Sequence, residues 1–90
     1  MTASAHVDIV NERGLHARAS ARFVKLAGVF DAEVRVTKDE QTVDAQSIMG
    51  LMMLAAGPGS TIQITADGRQ AKEAVEALAG LVASRFEEER

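Results

Sequence analysis

Val7 and Ile9 alternate with His6, Asp8 and Val10, the two-residue period of a strand with one buried face. Asn11-Glu12-Arg13-Gly14 then breaks the pattern and reads as a loop. From His16 the apolar positions Ala19, Phe23, Leu26 and Ala27 recur at helical spacing, and Gly28 can end that helix. Val34 and Val36 alternate again, Lys38-Asp39-Glu40 supplies a turn, and Val43 marks a short return strand, so a hairpin is predicted. Ser47 is a natural N-cap for the apolar run from Ile48 to Ala56, which Gly57-Pro58-Gly59 breaks. Thr61 to Thr65 alternates once more, with Ile62 and Ile64 on one face, and Asp67-Gly68 makes a turn. The last helix is predicted from about Arg69 to Phe86. Its apolar stripe is Ala71, Ala74, Val75, Leu78, Leu81 and Val82.

The predicted order is therefore β-α-β-β-α-β-α. Four strands with helices gathered on one face make a two-layer α+β sandwich. The hairpin forces its two strands to be antiparallel, and both other connections carry a helix. Periodicity alone also permits a generic ferredoxin-like sandwich. No repeat, linker or low-complexity segment is present, so residues 1–90 are expected to form a single domain.

Composition narrows the class. The 90 residues are 47% hydrophobic and 26% charged, ordinary values for a soluble globular domain. The only aromatics are three Phe, so the core must be built from aliphatic side chains and Met. Without cysteine, neither a disulfide nor a thiolate metal site can form. No long apolar run or basic-then-hydrophobic N-terminus is seen, so a cytoplasmic protein without a membrane role is expected.

Charge distribution adds more. The net charge is −3, yet Arg13, Arg18, Arg22 and Lys25 gather around the first helix while Glu87, Glu88 and Glu89 sit near the C-terminus. A locally basic patch on an acidic chain suits a small anion or an acidic partner better than nucleic acid. Glu87 to Arg90 are expected to fray.

The candidate chemistry lies in Gly14-Leu15-His16-Ala17-Arg18. The first N–H groups of a helix lack intrahelical partners, and the macrodipole adds partial positive charge there, which makes an anion site. With His16 as N-cap, the Ala17 and Arg18 amides face whatever its ring carries. The Arg18 guanidinium can add charge-assisted hydrogen bonds to phosphoryl oxygens. The competing reading is a surface or capping histidine. His6, on the outward face of the first strand, has no motif around it and is read that way. Two separated histidines without a carboxylate constellation make weak ligands, so no metal and no cofactor is expected.

The Gly-Leu-His-Ala-Arg string resembles the active-site motif of HPr, the histidine-containing phosphocarrier family of the bacterial phosphotransferase system. The resemblance runs from Val7 to about Val82 in motif order and spacing. It implies an open-faced two-layer sandwich with a four-stranded antiparallel sheet and three helices on one face. It implies that His16 is phosphorylated, on Nδ1, and that Arg18 with the Ala17 and Arg18 amides binds the phosphoryl group. Enzyme I, charged from phosphoenolpyruvate, would be the donor and an enzyme IIA-type protein the acceptor. A monomer is expected, because a carrier must present one face to successive partners. HPr proteins usually have Pro after the motif arginine. Ala19 stands there instead, which keeps an N–H and loses rigidity, so modestly altered transfer kinetics are expected.

Ser47-Ile48-Met49-Gly50-Leu51-Met52-Met53-Leu54 is apolar almost all round. Either the helix is deeply buried or part of it is an adaptable Met-rich docking surface. The resemblance favours docking, with Ile48, Met49, Met52 and Met53 as partner contacts and Leu51 and Leu54 in the core. Gly50 would let a partner approach closely. Ser47 matches the serine phosphorylated by HPr kinase/phosphorylase in some bacteria, which would make it a regulatory site. As a residue type it is equally well explained as an N-cap. Phe30-Asp31-Ala32-Glu33-Val34, Leu51-Met52-Met53-Leu54 and the Phe86-acidic tail look more like the nitrogen-related carriers than the sugar-transport ones.

Two rivals belong to other classes. A regulatory protein-binding module would act through the apolar second helix under control of Ser47, with His16 only lining the interface. A small nucleic-acid-binding domain is disfavoured by the acidic balance and the absence of Tyr and Trp.

Overall fold

The computed structural model describes residues 1–89. Its elements are β1 (Thr2–Asp8), α1 (Ala17–Ala27), β2 (Glu33–Lys38), β3 (Gln41–Asp44), α2 (Ile48–Met53), β4 (Thr61–Asp67) and α3 (Ala71–Ala83), followed by one tight turn, Arg85–Glu87. The order is the one the periodicity predicts. All strand pairs are antiparallel, in the spatial order β1-β4-β2-β3.

Alternation in the strands decides which face is covered. Val34 and Val36 of β2 and Ile62, Ile64 and Ala66 of β4 are buried, and the register sets Val7 opposite Ile62 and Val36 opposite Ile64. The helices lie over that face. Phe23 from α1, Leu51 from α2, and Leu78 and Val82 from α3 meet the sheet in one continuous core. Each large side chain so buried is worth about 1.5–3 kcal/mol in transfer free energy. The other face carries Ser4, His6, Asp8 and Thr61, all exposed, so the sandwich is open on one side.

The structure corrects several boundaries. β1 begins at Thr2 rather than near His6, because Ala3 and Ala5 continue the inward face with small side chains that barely register as apolar. Ile9 lies beyond the strand, and it is buried with 1% exposure. The apolar run after Ser47 is helical only to Met53; Leu54 caps it, and Ala55 turns left-handed with φ of 52°. α3 stops at Ala83, short of Phe86. Arg85, Phe86 and Glu87 all have positive φ (62°, 55° and 63°), which reverses the chain and carries it back over α1.

The expectation that Glu87 to Arg90 fray fails for Glu87 and Glu88. Phe86 is fully buried in the core, and Glu88 is tied to two side chains near the N-terminus of α1. Arg90 lies outside the described residues.

Candidate functional site

The site begins with a residue that has no side chain. Gly14 has φ of +61°, and a Cβ there would lie 2.2 Å from the carbonyl oxygen of Ala56. The next residue, Leu15, donates its N–H to that same oxygen at 3.0 Å and buries its side chain. The loop is thereby clamped onto the segment after α2, which sets where α1 can start.

His16 is the N-cap of α1, with extended backbone (φ −76°, ψ −179°) and no side-chain cap bond. The first intrahelical bond runs from the Ser20 N–H to the His16 carbonyl at 2.8 Å. The amides of Ala17, Arg18 and Ala19 therefore precede the helical ladder and open toward the helix N-terminus, where anions are favoured. Ala17 and Arg18 are exposed, whereas Ala19 is fully buried.

The basic cluster predicted around α1 converges in part. Arg13, Arg18 and Arg22 line an open cleft of about 490 Å³, faced by Glu12, Glu87, Glu88 and Glu89. Lys25 lies apart from it, in a separate depression with Arg22 and Val29. A further depression of about 310 Å³ brings His16 beside Arg13, Leu15 and Met52. Arg13 lines both this depression and the charged cleft, and His16, which lines the depression, touches Glu88 of the cleft.

Two residues of the site were not singled out from the sequence. Nε2 of His16 lies 2.6 Å from Oε2 of Glu88. The other oxygen of that carboxylate, Oε1, accepts a 2.9 Å hydrogen bond from Nδ2 of Asn11. Asn11 is completely buried, and its Nδ2 also donates to the Gly14 carbonyl at 2.9 Å. Arg22 donates to the carbonyl of Phe86, fastening the turn that delivers Glu88. Burial pushes the Glu88 carboxyl up. The hydrogen bonds from Asn11 and His16, with the charges of His16 and Arg22, more than offset this and hold it below the ordinary carboxylate value. No local pattern could reveal the network, because Asn11 and Glu88 are separated by 77 positions. The acidic tail was the sole hint, and composition alone reads it as solvent-exposed.

The second helix presents the residues predicted for it. Met49 and Met53 are 69% and 73% exposed, Ile48 and Met52 are also exposed, and Leu51 and Leu54 are buried. The Ser47 hydroxyl accepts the Gly50 N–H at 2.8 Å, an N-cap bond. Gly50 does not face outward as expected: a Cβ there would come within 3.2 Å of the Val43 Cβ and 3.0 Å of the Ser47 Oγ. Its smallness serves the packing of α2 on β3. His6 is exposed on the open face of the sheet.

Among the described residues no cluster of His, Asp or Glu could hold a metal ion, and no helix is long and apolar enough to cross a membrane.

Comparison with known proteins agrees with this geometry. A family model described as the PTS HPr component phosphorylation site matches residues 3–84. Phosphocarrier protein HPr of Cupriavidus necator is 52% identical over 80 residues, covering 89% of this chain and 90% of that protein. Phosphocarrier protein NPr of Shewanella violacea is 42% identical, covering 91% and 90%. The crystal structure of HPr from Thermoanaerobacter tengcongensis superposes with a TM-score of 0.92 at 40% identity, covering 98% of this chain and 99% of that one. The family match over most of the chain, the identity to curated carriers and the shared fold together place it: this chain is a member of the HPr family of phosphocarriers of the phosphotransferase system.

Proposed function

We propose that residues 1–90 act as one phosphocarrier domain that accepts a phosphoryl group from phospho-Enzyme I on His16 and passes it to an enzyme IIA-type protein. The observation that carries this reading is the placement of His16 at the N-cap of α1, with the Ala17 and Arg18 amides uncommitted and Arg18 on the adjoining cleft. Nδ1 of His16 is the proposed acceptor atom. The two amides and the Arg18 guanidinium hold the phosphoryl oxygens, and they act on a charge that is present before and after transfer. Binding of this kind leaves the group transferable in either direction.

The partner surface is proposed to be Ile48, Met49, Met52 and Met53, with the arginines beside it. Met side chains repack without strain, which suits successive docking to different proteins. Such a carrier works as a cytoplasmic monomer that presents one face to each partner in turn. The output is sugar uptake or nitrogen-related regulation, and measuring transfer to the two kinds of enzyme IIA tells the branches apart.

A second reading rests on Ser47, whose hydroxyl caps α2 at the edge of the exposed Met patch. Phosphorylation there by an HPr kinase/phosphorylase would add about two negative charges beside the docking surface while the helix N-terminus tolerates them. In that case the protein also serves as a regulatory binding module.

The test is intact-mass measurement after incubation with phosphoenolpyruvate and active Enzyme I. One acid-labile phosphoryl group on the wild type and none on His16→Ala supports the carrier reading. An unchanged mass for the wild type overturns it.

A further inference from the structure

The tail after α3 reaches His16 by an expensive route. Three consecutive non-glycine residues, Arg85, Phe86 and Glu87, sit at positive φ. Each such conformation is strained for a residue with a side chain and persists only where its surroundings impose it. Here the surroundings are a fully buried Phe86, the bond from Arg22 to the Phe86 carbonyl, and the two bonds to the Glu88 carboxylate. The result is a carboxylate whose side chain is only 16% exposed, set against the ring of His16.

Building on the proposed carrier function, we infer that Glu88, held by Asn11, is a positioning residue for phosphoryl transfer: it keeps the proton of His16 on Nε2 and leaves the Nδ1 lone pair free to attack. Both oxygens of the carboxylate are occupied as acceptors, Oε1 by Asn11 and Oε2 by His16. An ionised carboxylate can only accept, so Nε2 must be the ring nitrogen that donates. That fixes the tautomer and the ring plane together, as a carboxylate hydrogen-bonded to the far nitrogen does for a metal-bound histidine.

The charge balance of the step follows. The neutral ring attacks phosphorus through Nδ1, and the bond from phosphorus to the donor breaks with its electron pair staying on the donor. The Nδ1–P bond forms, the proton remains on Nε2, and the ring becomes a phosphoimidazolium. Its new positive charge faces the Glu88 carboxylate across 2.6 Å. Onward transfer reverses these changes, and the ring leaves neutral. No proton has to be gained or lost in either direction.

Asn11 gives Glu88 a fixed orientation. Its amide is buried and donates to both Gly14 and Glu88, so the loop that places the His16 backbone also places the group that orients the His16 ring. Gln at position 88 cannot reproduce this, because one of its two terminal atoms would present N–H groups to a donor.

The experiment compares wild type, Glu88→Gln and Glu88→Ala as full-length chains, with histidine-nitrogen NMR of the uncharged protein and phosphorylation kinetics with Enzyme I. The expected result is a hydrogen-bonded Nε2–H signal in the wild type that is lost in Glu88→Ala. The maximal rate of phosphorylation should fall about tenfold, the low end of the cost of removing a partner that orients a functional histidine, with KM for the carrier unchanged. Glu88→Gln should fall between the two, and all three proteins should be folded at the assay temperature, with the wild type melting highest. A raised KM at unchanged maximal rate would make Glu88 a docking residue and overturn the inference. Equal kinetics for wild type and Glu88→Ala overturn it as well. A wild type that takes no phosphoryl group from active Enzyme I brings down the carrier reading and this inference with it, and that outcome is distinct from the other two.

Discussion

Gly14 meets the carbonyl of Ala56 so closely that a Cβ on Gly14 would lie 2.2 Å from that oxygen. The loop that leads into α1 and the segment that leaves α2 are thereby locked at the point where His16 must stand. Because φ at Gly14 is also +61°, any L side chain meets both a backbone clash and left-handed strain. Gly14→Ala should cost about 3 kcal/mol or more, and thermal unfolding reads it. A domain of this size loses about 4–8 °C per kcal/mol. Phosphorylation by Enzyme I should fall further than stability alone accounts for, since the entry to α1 has to move. A midpoint within a degree of wild type would contradict this account of the loop.

Arg18 is exposed and lines the charged cleft that Glu88 also lines, so its removal should leave the fold nearly untouched. Arg18→Ala is expected to shift stability by less than about 0.5 kcal/mol, as surface substitutions usually do. The rate of phosphoryl transfer should drop by about ten- to hundredfold through loss of a charged donor to the phosphoryl oxygens. Arg18→Lys should recover only part of the loss, because an ammonium lacks the planar fork. Stopped-flow transfer kinetics beside a denaturation curve separate the two effects.

Ser47 has two roles to disentangle. Its hydroxyl accepts the Gly50 N–H at 2.8 Å, so Ser47→Ala should destabilise the protein by about 1 kcal/mol. Ser47→Asp keeps an acceptor at the cap and should hold stability near wild type. If the neighbouring Met surface docks acidic partners, the added charge slows phosphorylation by Enzyme I in Ser47→Asp but not in Ser47→Ala. Equal rates in all three proteins would remove the regulatory role.

The tail contact should depend on pH in a defined direction. The folded-state carboxyl of Glu88 titrates below its ordinary value, which makes its contribution to stability fully present above the unfolded-state value. That contribution is lost as pH falls through the depressed folded value, where the protonated carboxyl no longer accepts two bonds. The thermal midpoint of wild type should therefore exceed that of Glu88→Gln at neutral pH. The difference should close on acidification below the usual carboxylate range. A difference that persists in acid would show that shape, not charge, holds the tail.

Much of the molecule was legible from local pattern. Val34, Val36, Ile62 and Ile64 alternate because each strand has one buried face, and the stripe from Ala71 to Val82 repeats at helical spacing because α3 covers that face. Ser47 announces a cap, and Gly14-Leu15-His16-Ala17-Arg18 announces a histidine at a helix start, since these demands lie within a few residues of each other. Gly50 and the stretch after Met53 carry no such local signal. Gly50 is small for the sake of Val43 on another strand, and Ala55 turns left-handed to bring Ala56 against Gly14.

The sequence by itself determined the order of elements, the buried stripes and the histidine at the head of a helix, because periodicity and capping are short-range physics. Only the tertiary structure decided that Phe86 leaves the last helix and enters the core. It alone decided that Asn11 is buried as an anchor and that Glu88 meets His16 across 72 positions. Hydrogen bonds between distant side chains carry no periodic signature. They form where packing of the whole chain repays the strained turn at Arg85–Glu87.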